Sequence, residues 1–395
     1  MPRWFYYLLI LAVFAPIISL IWGTQQEMVI FICSALSLIP LAALIGRTTE
    51  DLEYYVGPTA GGLLNATFGN APELIIGIFA LQDGLISVVK ASLTGSVISN
   101  VLLVLGGALA LGGWRWGRQF FSSRDAGQYS AMLVLALAGF VIPFFASLVL
   151  KDQGRIQAIS TGIAVIMLVV YVLYLALHIF HLHWRRRNPT LRIAEKRATV
   201  QQRTISDTAR EQEDEENAEE EEAPVATGGL SARAREPEGV KPPLWWLSAS
   251  LLLIATLATA WNSELLVGAI EPVAHQLGWS TVFIGLVIIP IIGNAAEHSS
   301  ALIIAYRDRI DLSMAIAAGS SIQVAVFVAP ILVLISLFGA HPLNLVFQPL
   351  ELVLLALAAI LFTFVSLDGE SNWLEGVQLL AIYVMACVVF FILPG

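Results

Sequence analysis

Charged residues and cysteines are scarce in this chain of 395 residues. Only 13% of the residues are Asp, Glu, Lys or Arg, about half the share in an ordinary soluble domain. The two cysteines, Cys33 and Cys387, lie in apolar runs and form no C-x-x-C pair, which argues against a disulfide scaffold or a zinc site. No basic surface interleaved with aromatic residues is evident, so we expect no nucleic-acid partner.

The sequence also lacks the motifs of the common catalytic and nucleotide-binding sites. It contains no H-E-x-x-H, no G-x-S-x-G and no G-x-x-x-x-G-K-[ST], the patterns of zinc proteases, serine hydrolases and phosphate-binding loops. We therefore expect neither an enzyme nor an ATP-driven pump, and no cofactor.

Long hydrophobic runs are what the chain has instead. Hydrophobic residues make up 57% of it and the mean hydropathy is +0.78, and runs of 18 or more apolar residues recur, each long enough to cross a bilayer. We predict an all-α membrane protein of eleven transmembrane helices, near 4–22, 28–46, 58–82, 85–112, 127–149, 156–182, 244–273, 280–305, 309–338, 349–367 and 373–393. The first run lacks a small-x-small cleavage site, so we expect a retained helix rather than a signal peptide.

The helix count divides the chain into four parts. We predict a first helix in residues 1–27, a five-helix repeat in 28–183, a cytosolic loop in 184–243 and a second five-helix repeat in 244–395. Because each repeat has an odd number of helices, the second copy enters the membrane from the opposite side. The repeats are therefore predicted to be inverted.

Arginine is unevenly distributed between the predicted connections. With the amino terminus inside, the outside connections hold Lys151 and Arg155. The inside connections hold Arg3, Arg47, Arg115, Arg118, Arg124, Arg185, Arg186, Arg187, Arg307 and Arg309. The positive-inside rule thus predicts a cytosolic amino terminus and a carboxyl terminus on the other side.

The loop is basic first and acidic afterwards. Residues 184–210 contain eight Lys or Arg and two Asp or Glu, whereas residues 211–222 contain nine Asp or Glu and no Lys or Arg. This composition is typical of a disordered charged linker. The alternative is a regulatory acidic strip that senses cations.

One unusual phrase occurs twice inside apolar runs. Gly69-Asn70-Ala71-Pro72-Glu73 and Gly293-Asn294-Ala295-Ala296-Glu297 are separated by an offset of 224 residues. Under the same offset, Gly95-Ser96 aligns with Gly319-Ser320 without a gap. A duplicated polar site within a membrane is typical of transporters built from inverted repeats.

Glu73 and Glu297 are the principal candidate site residues. An ionised carboxylate in the membrane is unfavourable by several kcal/mol unless it is paired, ligated or protonated. At equivalent positions of two inverted repeats, the two carboxylates are predicted to face one site, where their hard oxygen atoms suit one divalent cation. Burial and mutual repulsion also favour protonation, so cation and proton compete for the same oxygens.

The neighbours of the two glutamates complete the predicted metal site. Gly69 and Gly293 allow close backbone approach, Asn70 and Asn294 offer amide oxygens, and Ser96 and Ser320 offer hydroxyls, although serine at such positions is also common in helix packing. Pro72 is predicted to break its helix and to free carbonyl oxygens. Since Ala296 replaces proline in the second repeat, the two halves need not be equally kinked.

Other polar residues are assigned more peripheral roles. His298 is a candidate for tuning Glu297 or relaying a proton, with a packing role as the alternative. Four residues are candidates for the access path: Ser99, Gln323, Glu264 and Glu271. The last two are predicted to share one face of the seventh helix.

These residues resemble the calcium/proton exchanger (CAX) family of the cation/calcium exchanger superfamily. The resemblance rests on the two G-N-A-x-E phrases, on G-S-S-I-Q at 319–323, and on the helix count and acidic loop, so that it covers essentially the whole chain. It implies a calcium site between the repeats with Glu73 and Glu297 as principal ligands, and alternating access driven by a proton gradient.

We therefore predict a secondary antiporter that exports Ca²⁺ in exchange for protons, with other divalent cations and the oligomeric state left open. The short amino terminus favours a bacterial inner membrane. A sodium/calcium exchanger is the first alternative. However, sodium/calcium exchangers commonly place Asn or Asp for sodium four residues after each repeat serine. Here Asn100 keeps that position in the first repeat, but Val324 occupies it in the second. A passive cation channel and a membrane sensor that uses residues 207–222 are further alternatives.

Overall fold

The computed structural model describes residues 3–187 and 244–393. The predicted loop between them lies outside the described residues. The first part contains a 3₁₀ turn at Gly23–Gln26 and a π-helical segment at Ser99–Leu105. Its helices and strand are α1 (Arg3–Trp22), α2 (Glu27–Phe68), α3 (Ala71–Gln82), α4 (Ile86–Ile98), α5 (Gly106–Trp116), β1 (Gln119–Phe120), α6 (Ser123–Val149) and α7 (Gln153–Arg187).

The second described part has two further π-helical segments, at Ile284–Ile288 and at Val324–Val328. Its helices and strand are α8 (Trp245–Gly268), α9 (Ile270–Leu277), α10 (Thr281–Phe283), α11 (Ile289–Gly293), α12 (Ala295–Ala305), α13 (Ile310–Gln323), α14 (Ala329–Ser336), α15 (Pro349–Val365), β2 (Glu370–Ser371) and α16 (Trp373–Ile392). The two short strands pair antiparallel.

The described residues form two compact units. One contains the chain up to Tyr171 together with the chain from Pro243 onwards, and the other is Val172–Pro242, of which only the end of α7 is described. All the site residues discussed below belong to the first unit.

The all-helical membrane architecture is confirmed. Among the described residues, seven helices are long and apolar enough to cross a membrane, or eight when the bent pair α9 and α10–α11 is taken as one span. Shorter apolar helices occur at Leu9–Ile21, Ala71–Gln82 and Pro349–Val365. The count of eleven spans stays a prediction.

Several predicted helix boundaries were wrong. The helix predicted at 28–46 continues to Gly57, where the backbone leaves helical geometry with a φ of +82° that suits glycine. The next helical stretch then begins where it was predicted, near residue 58. The helix predicted at 244–273 ends at Gly268, and α9 begins two residues later. Hydropathy marks where an apolar helix is stable, but a break inside an apolar run depends on how neighbouring helices satisfy the freed backbone groups.

The helices predicted at 58–82 and 280–305 are both broken, and they are broken in the same way. Asn70 has φ −102° and ψ 16°, and Asn294 has φ −96° and ψ 14°. The two breaks are therefore alike, although Ala296 replaces proline in the second repeat. Pro72 follows the break within the first turn of α3, where proline is well tolerated, so the break does not depend on it.

Two of the π-helical segments overlap when the first is shifted along the chain by the offset of 224 residues. Ser99–Leu105 and Val324–Val328 each follow the aligned Gly-Ser pair by a few residues. π-helical turns are rare and occur frequently at functional sites. Their presence at matched positions marks the same region as the repeated phrase.

The helices that carry the Gly-Ser pairs lie at the centre of the molecule. In the apolar window of the span Ile86–Trp116, 78% of residues are buried, and in that of Ile310–Ser336, 67% are buried. By contrast, only 22% are buried in Gln153–Leu177, and many apolar side chains of α6 and α7 are exposed, as lipid-facing surfaces require. The core of the fold is thus formed by the two spans that follow the glutamate helices.

Glycines permit close contact between the two halves. A Cβ placed on Gly95 would collide with the backbone carbonyl of Leu286, and one on Gly376 would collide with the backbone of Ala110. At Gly319, which aligns with Gly95, a Cβ would meet nothing within 4 Å. Close backbone approach through small residues is a general device of membrane helices, and here only one of the two aligned glycines uses it.

This difference gives a test with an internal control. We expect Gly95→Ala to lower the stability of the purified protein by about 1–3 kcal/mol, the usual cost of overpacking, because backbone atoms cannot rotate away. Gly319→Ala should leave the thermal unfolding midpoint in detergent nearly unchanged. Equal midpoints for the two variants would contradict the close packing at Gly95.

Candidate functional site

Both candidate glutamates lie in the first turn of a helix that begins inside the protein. Glu73 follows the break at Asn70 and belongs to α3, and Glu297 follows the break at Asn294 and belongs to α12. The amino-terminal end of a helix favours negative charge, so each break points a helix dipole at its own carboxylate. The sequence had predicted the glutamates but not these helix starts.

The carboxylates converge on one buried place. Oε2 of Glu73 and Oε2 of Glu297 are both buried, and neither has a hydrogen-bond partner in the described structure. A Cβ placed on Gly293 would lie 3.1 Å from Oε1 of Glu73, so the first carboxylate rests against the backbone that precedes the second. Buried carboxylate oxygens without partners are costly, and a cation or a proton removes that cost.

Asn294 connects the serines of the two repeats. Its Nδ2 donates to Oγ of Ser96 at 3.2 Å, and its Oδ1 accepts from Oγ of Ser320 at 3.2 Å. A further bond from Nδ2 to the carbonyl of Pro290, at 3.1 Å, fixes the amide beside the break. The predicted site residues Asn294, Ser96 and Ser320 are thus brought together.

Asn70 makes a similar connection from the first repeat. Its Nδ2 donates to Oε1 of Gln323 at 2.6 Å, while Oγ of Ser99 donates to the carbonyl of Ser96 at 3.2 Å. Ser99 is buried and Gln323 is partly buried. The structure therefore places Gln323 in the hydrogen-bonded network of the site and Ser99 immediately beside Ser96.

Asn100 is the site residue that sequence reasoning missed. It is fully buried, donates from Nδ2 to Oγ of Ser320 at 2.9 Å, and lies with Oδ1 3.1 Å from Nε2 of His298. An amide oxygen only accepts hydrogen bonds, so Nε2 of His298 carries a hydrogen. From the sequence, Asn100 stood out only as a possible sodium ligand, although an amide four residues after a site serine is itself a signal.

The Asn100–His298 pair has no polar counterpart in the other half. The aligned positions are Val324, which is fully buried, and Leu74. The segments that hold them, Val324–Val328 and α3, are in contact, as are the π-helical segment of Asn100 and α12. One polar pair on one side of the site is therefore replaced by two apolar residues on the other.

The chain is similar to known ion exchangers along most of its length. The family model described as "Sodium/calcium exchanger protein" matches residues 27–180 and 247–392. The chain is 39% identical to the Ca²⁺/H⁺ antiporter of Synechocystis sp., with 98% of this chain and 97% of that protein covered. It is 40% identical to the Ca²⁺/H⁺ antiporter ChaA of Bacillus subtilis, over 92% of each protein.

The chain belongs to the sodium/calcium exchanger family. Its resemblance to the calcium/proton branch of that family is confirmed by these two relatives. The fold agrees as well: the solved structure of native YfkE superposes with a TM-score of 0.76 at 36% identity, covering 98% of this chain and all of that one.

Glycine has different roles at the two aligned positions of this family member. Gly293 provides the space for the carboxylate of Glu73. Gly69 ends α2 with ordinary helical angles, and its N–H bonds the carbonyl of Asn65 at 2.8 Å. The close neighbour of Gly293 is thus a carboxylate, whereas a Cβ on Gly69 would lie 2.6 Å from the carbonyl oxygen of Asn65.

The two candidate access-path glutamates do not share one helix. Glu264 belongs to α8 and Glu271 to α9, after the break at Ala269, and both are exposed. The prediction that one helix carries both was therefore wrong. Their role in ion access stays a prediction.

The site is suited to a cation held by few charges. Among residues 3–187 and 244–393, no group of three or more His, Cys, Asp and Glu lies together. Two carboxylates therefore supply the negative charge, and any further ligands are neutral oxygens of amides, hydroxyls or backbone. Oxygen-only coordination of this kind is what Ca²⁺ prefers.

The Asn100–His298 pair allows a double-mutant test. Asn100→Val and His298→Leu should each lower the thermal unfolding midpoint, because each leaves a buried polar partner unsatisfied, at about 1–3 kcal/mol. The double variant, which copies the apolar residues already present at positions 74 and 324, should lose less than the sum of the two. Strict additivity would show that the pair does not interact.

Proposed function

We propose that this chain is a secondary antiporter that exports Ca²⁺ from the cytosol in exchange for protons. The observation that carries the proposal is the pair of buried, unpartnered carboxylate oxygens of Glu73 and Glu297 at the starts of two matched helices. Relatives that align over nearly the full chain are Ca²⁺/H⁺ antiporters, which supports calcium and protons as the exchanged ions.

The proposed mechanism follows from charge. Two ionised carboxylates neutralise one Ca²⁺, and two protonated carboxyl groups are neutral without it. Either state keeps net charge out of the buried centre, where it is most unfavourable. The empty, doubly ionised site is disfavoured because the two carboxylates repel each other. This coupling makes the protein an antiporter that needs no cofactor and performs no covalent chemistry.

The amide and hydroxyl network orients the site. Asn70, Asn294 and Ser96 form hydrogen bonds between the two halves, and Ser320 does so through Asn100. The movement of one half relative to the other therefore changes the oxygens that surround the cation. Gly69 and Gly293 are assigned as backbone ligands, and His298 assists proton exchange through its place beside Glu297. We assign Glu264 and Glu271, with Ser99 and Gln323, to the access path.

The proposed membrane arrangement has eleven spans, with a first helix and two inverted repeats at 28–183 and 244–395. The matched backbone breaks and π-helical segments support the duplication. The amino terminus is cytosolic, and a bacterial inner membrane is the expected location, as two bacterial relatives suggest. The loop 184–243 is assigned to the cytosol as a charged linker or regulatory segment.

Sodium is a weaker candidate for the counter-ion. The residue aligned with Asn100 is Val324, a fully buried side chain without oxygen, and the amide of Asn100 is itself engaged with Ser320 and His298. A second set of sodium ligands is therefore missing on one side of the site.

Substitution of the glutamates tests the exchange mechanism. Glu73→Gln and Glu297→Gln preserve size but remove the titratable charge, so each should reduce pH-gradient-driven Ca²⁺ uptake into proteoliposomes to the level of empty liposomes. Asp152→Asn and Asp368→Asn, at exposed positions with no assigned role in the site or the access path, serve as controls and should retain most of the uptake. Near-normal uptake by either Glu73→Gln or Glu297→Gln would refute the mechanism.

The same proteoliposomes distinguish the alternatives. We expect Ca²⁺ to accumulate against its own gradient when a pH gradient is imposed, and not when a sodium gradient is imposed with a protonophore present. Sodium-driven accumulation would identify a sodium exchanger, and flux that never runs uphill would identify a channel. Deletion of residues 207–222 should leave exchange measurable, whereas a sensor would lose its function.

A further inference from the structure

A groove lies between the carboxyl-terminal ends of α5 and α12, away from the glutamate site. Its volume is about 500 Å³. One wall contains Leu111, Arg115 and Trp116, and the other contains Ile303, Tyr306 and Arg307. All six side chains are exposed. The groove therefore joins one helix from each half of the molecule at the protein surface.

The groove changes from apolar to basic along the helix axis. Leu111 precedes Arg115 by four residues, which corresponds to about 6 Å of helix. Ile303 lies in the last turn of α12, and Arg307 lies in the turn that follows it. Arg115 and Trp116 are the last residues of the span Ile86–Trp116. Trp and Tyr concentrate at the level of lipid headgroups, so the basic end of the groove lies at that level and the apolar end lies beside acyl chains.

Arg115 is held in place by aromatic rings and not by a carboxylate. Its guanidinium carbon lies 4.0 Å from the centroid of the Tyr306 ring and 5.0 Å from that of Trp116. Nε1 of Trp116 donates to the carbonyl of Tyr306 at 3.1 Å, which ties the two walls together. Stacking of this kind fixes the plane of the guanidinium and leaves its N–H edge available for an anion with two oxygens.

Neither arginine of the groove forms an ion pair with a carboxylate in the described parts of the chain. By contrast, the nearby Arg118 lies 4.0 Å from Glu370. Two unpaired cations at the mouth of an apolar groove match an anion that carries a hydrocarbon chain. The basic part of the groove, at Arg115 and Arg307, and the apolar part, at Leu111 and Ile303, thus both favour an amphipathic anion.

The duplicated architecture does not itself require this set of residues. When the offset of 224 residues is extended, Leu111 aligns with Ile335 and Ile303 with Phe79, so the apolar positions stay apolar. The basic and aromatic positions are not retained: Arg115 aligns with Gly339 and Arg307 with Asp83. The two arginines of the groove therefore have no basic counterparts at the repeat-related positions. The groove lies on the side of the membrane where the predicted connections are rich in arginine.

From these observations we infer that the groove binds an anionic phospholipid, with its phosphate between Arg115 and Arg307 and an acyl chain along Leu111 and Ile303. Basic pockets between membrane helices bind anionic headgroups in this way. A free phosphate ion would leave the apolar half of the groove uncovered. The bound lipid would hold α5 against α12, the helix whose first turn contains Glu297.

Native mass spectrometry of the full chain tests the site. Delipidated protein is titrated with phosphatidylglycerol or phosphatidylcholine. The variant R115Q/R307Q should bind phosphatidylglycerol at least about tenfold more weakly than the unmodified chain, since each basic residue near an anionic lipid contributes roughly fivefold. Binding of phosphatidylcholine should be weak and equal in both proteins.

Two matched variants separate a site from general electrostatics and from misfolding. R124Q/R309Q removes the same charge from exposed positions outside the groove and should change phosphatidylglycerol binding less than twofold. R115K/R307K keeps the charge and should restore most of the binding. Equal losses in R115Q/R307Q and R124Q/R309Q, or unchanged binding in R115Q/R307Q, would overturn the inference.

Cross-linking identifies the occupant in a membrane. A benzophenone amino acid at position 303, activated by light in liposomes that contain phosphatidylglycerol, should yield an adduct with the mass of the lipid. An adduct with the acidic segment 211–222 of this chain would overturn the inference, because the groove would then be a docking site for that segment.

Discussion

Oε2 of Glu73 and Oε2 of Glu297 are buried without a hydrogen-bond partner in the described structure, and the surrounding architecture makes that arrangement tolerable. Each carboxylate lies in the first turn of a helix that starts within the protein, where the helix dipole stabilises negative charge. Each helix starts there because the chain breaks at an asparagine with nearly the same backbone angles. The break, the dipole and the carboxylate thus form one unit, which occurs twice.

The hydrogen bonds around this unit join one half of the molecule to the other. Asn70 binds Gln323, Asn294 binds Ser96, and Asn100 binds Ser320. Close backbone contact at Gly95 and Gly376 reinforces the same association. A site built across two halves responds to their relative position, and this is the physical requirement for alternating access in a protein whose energy source is an ion gradient.

The two halves are matched in backbone but not in chemistry. The Asn100–His298 pair is opposed by Leu74 and Val324, and the basic groove at Arg115 and Arg307 is opposed by Gly339 and Asp83. These differences give direction to an otherwise pseudo-symmetric molecule. The Asn100–His298 pair changes the surroundings of Glu297 and not those of Glu73. The basic groove is present at one membrane surface and not at the repeat-related positions.

The sequence by itself determined the membrane class, the two glutamates, their duplication and the family, because hydropathy and a repeated phrase are local patterns that need no fold to be read. It ended the helix predicted at 28–46 too early and misplaced the end of α8, and it attributed the break before Glu73 to Pro72. Those features depend on which backbone groups the neighbouring helices satisfy. Only the tertiary structure decided the role of Asn100, the position of Gln323 within the network, the different functions of Gly69 and Gly293, and the groove at Arg115. Each of these rests on contacts between residues far apart in the chain, whose geometry is fixed by packing and not by sequence spacing.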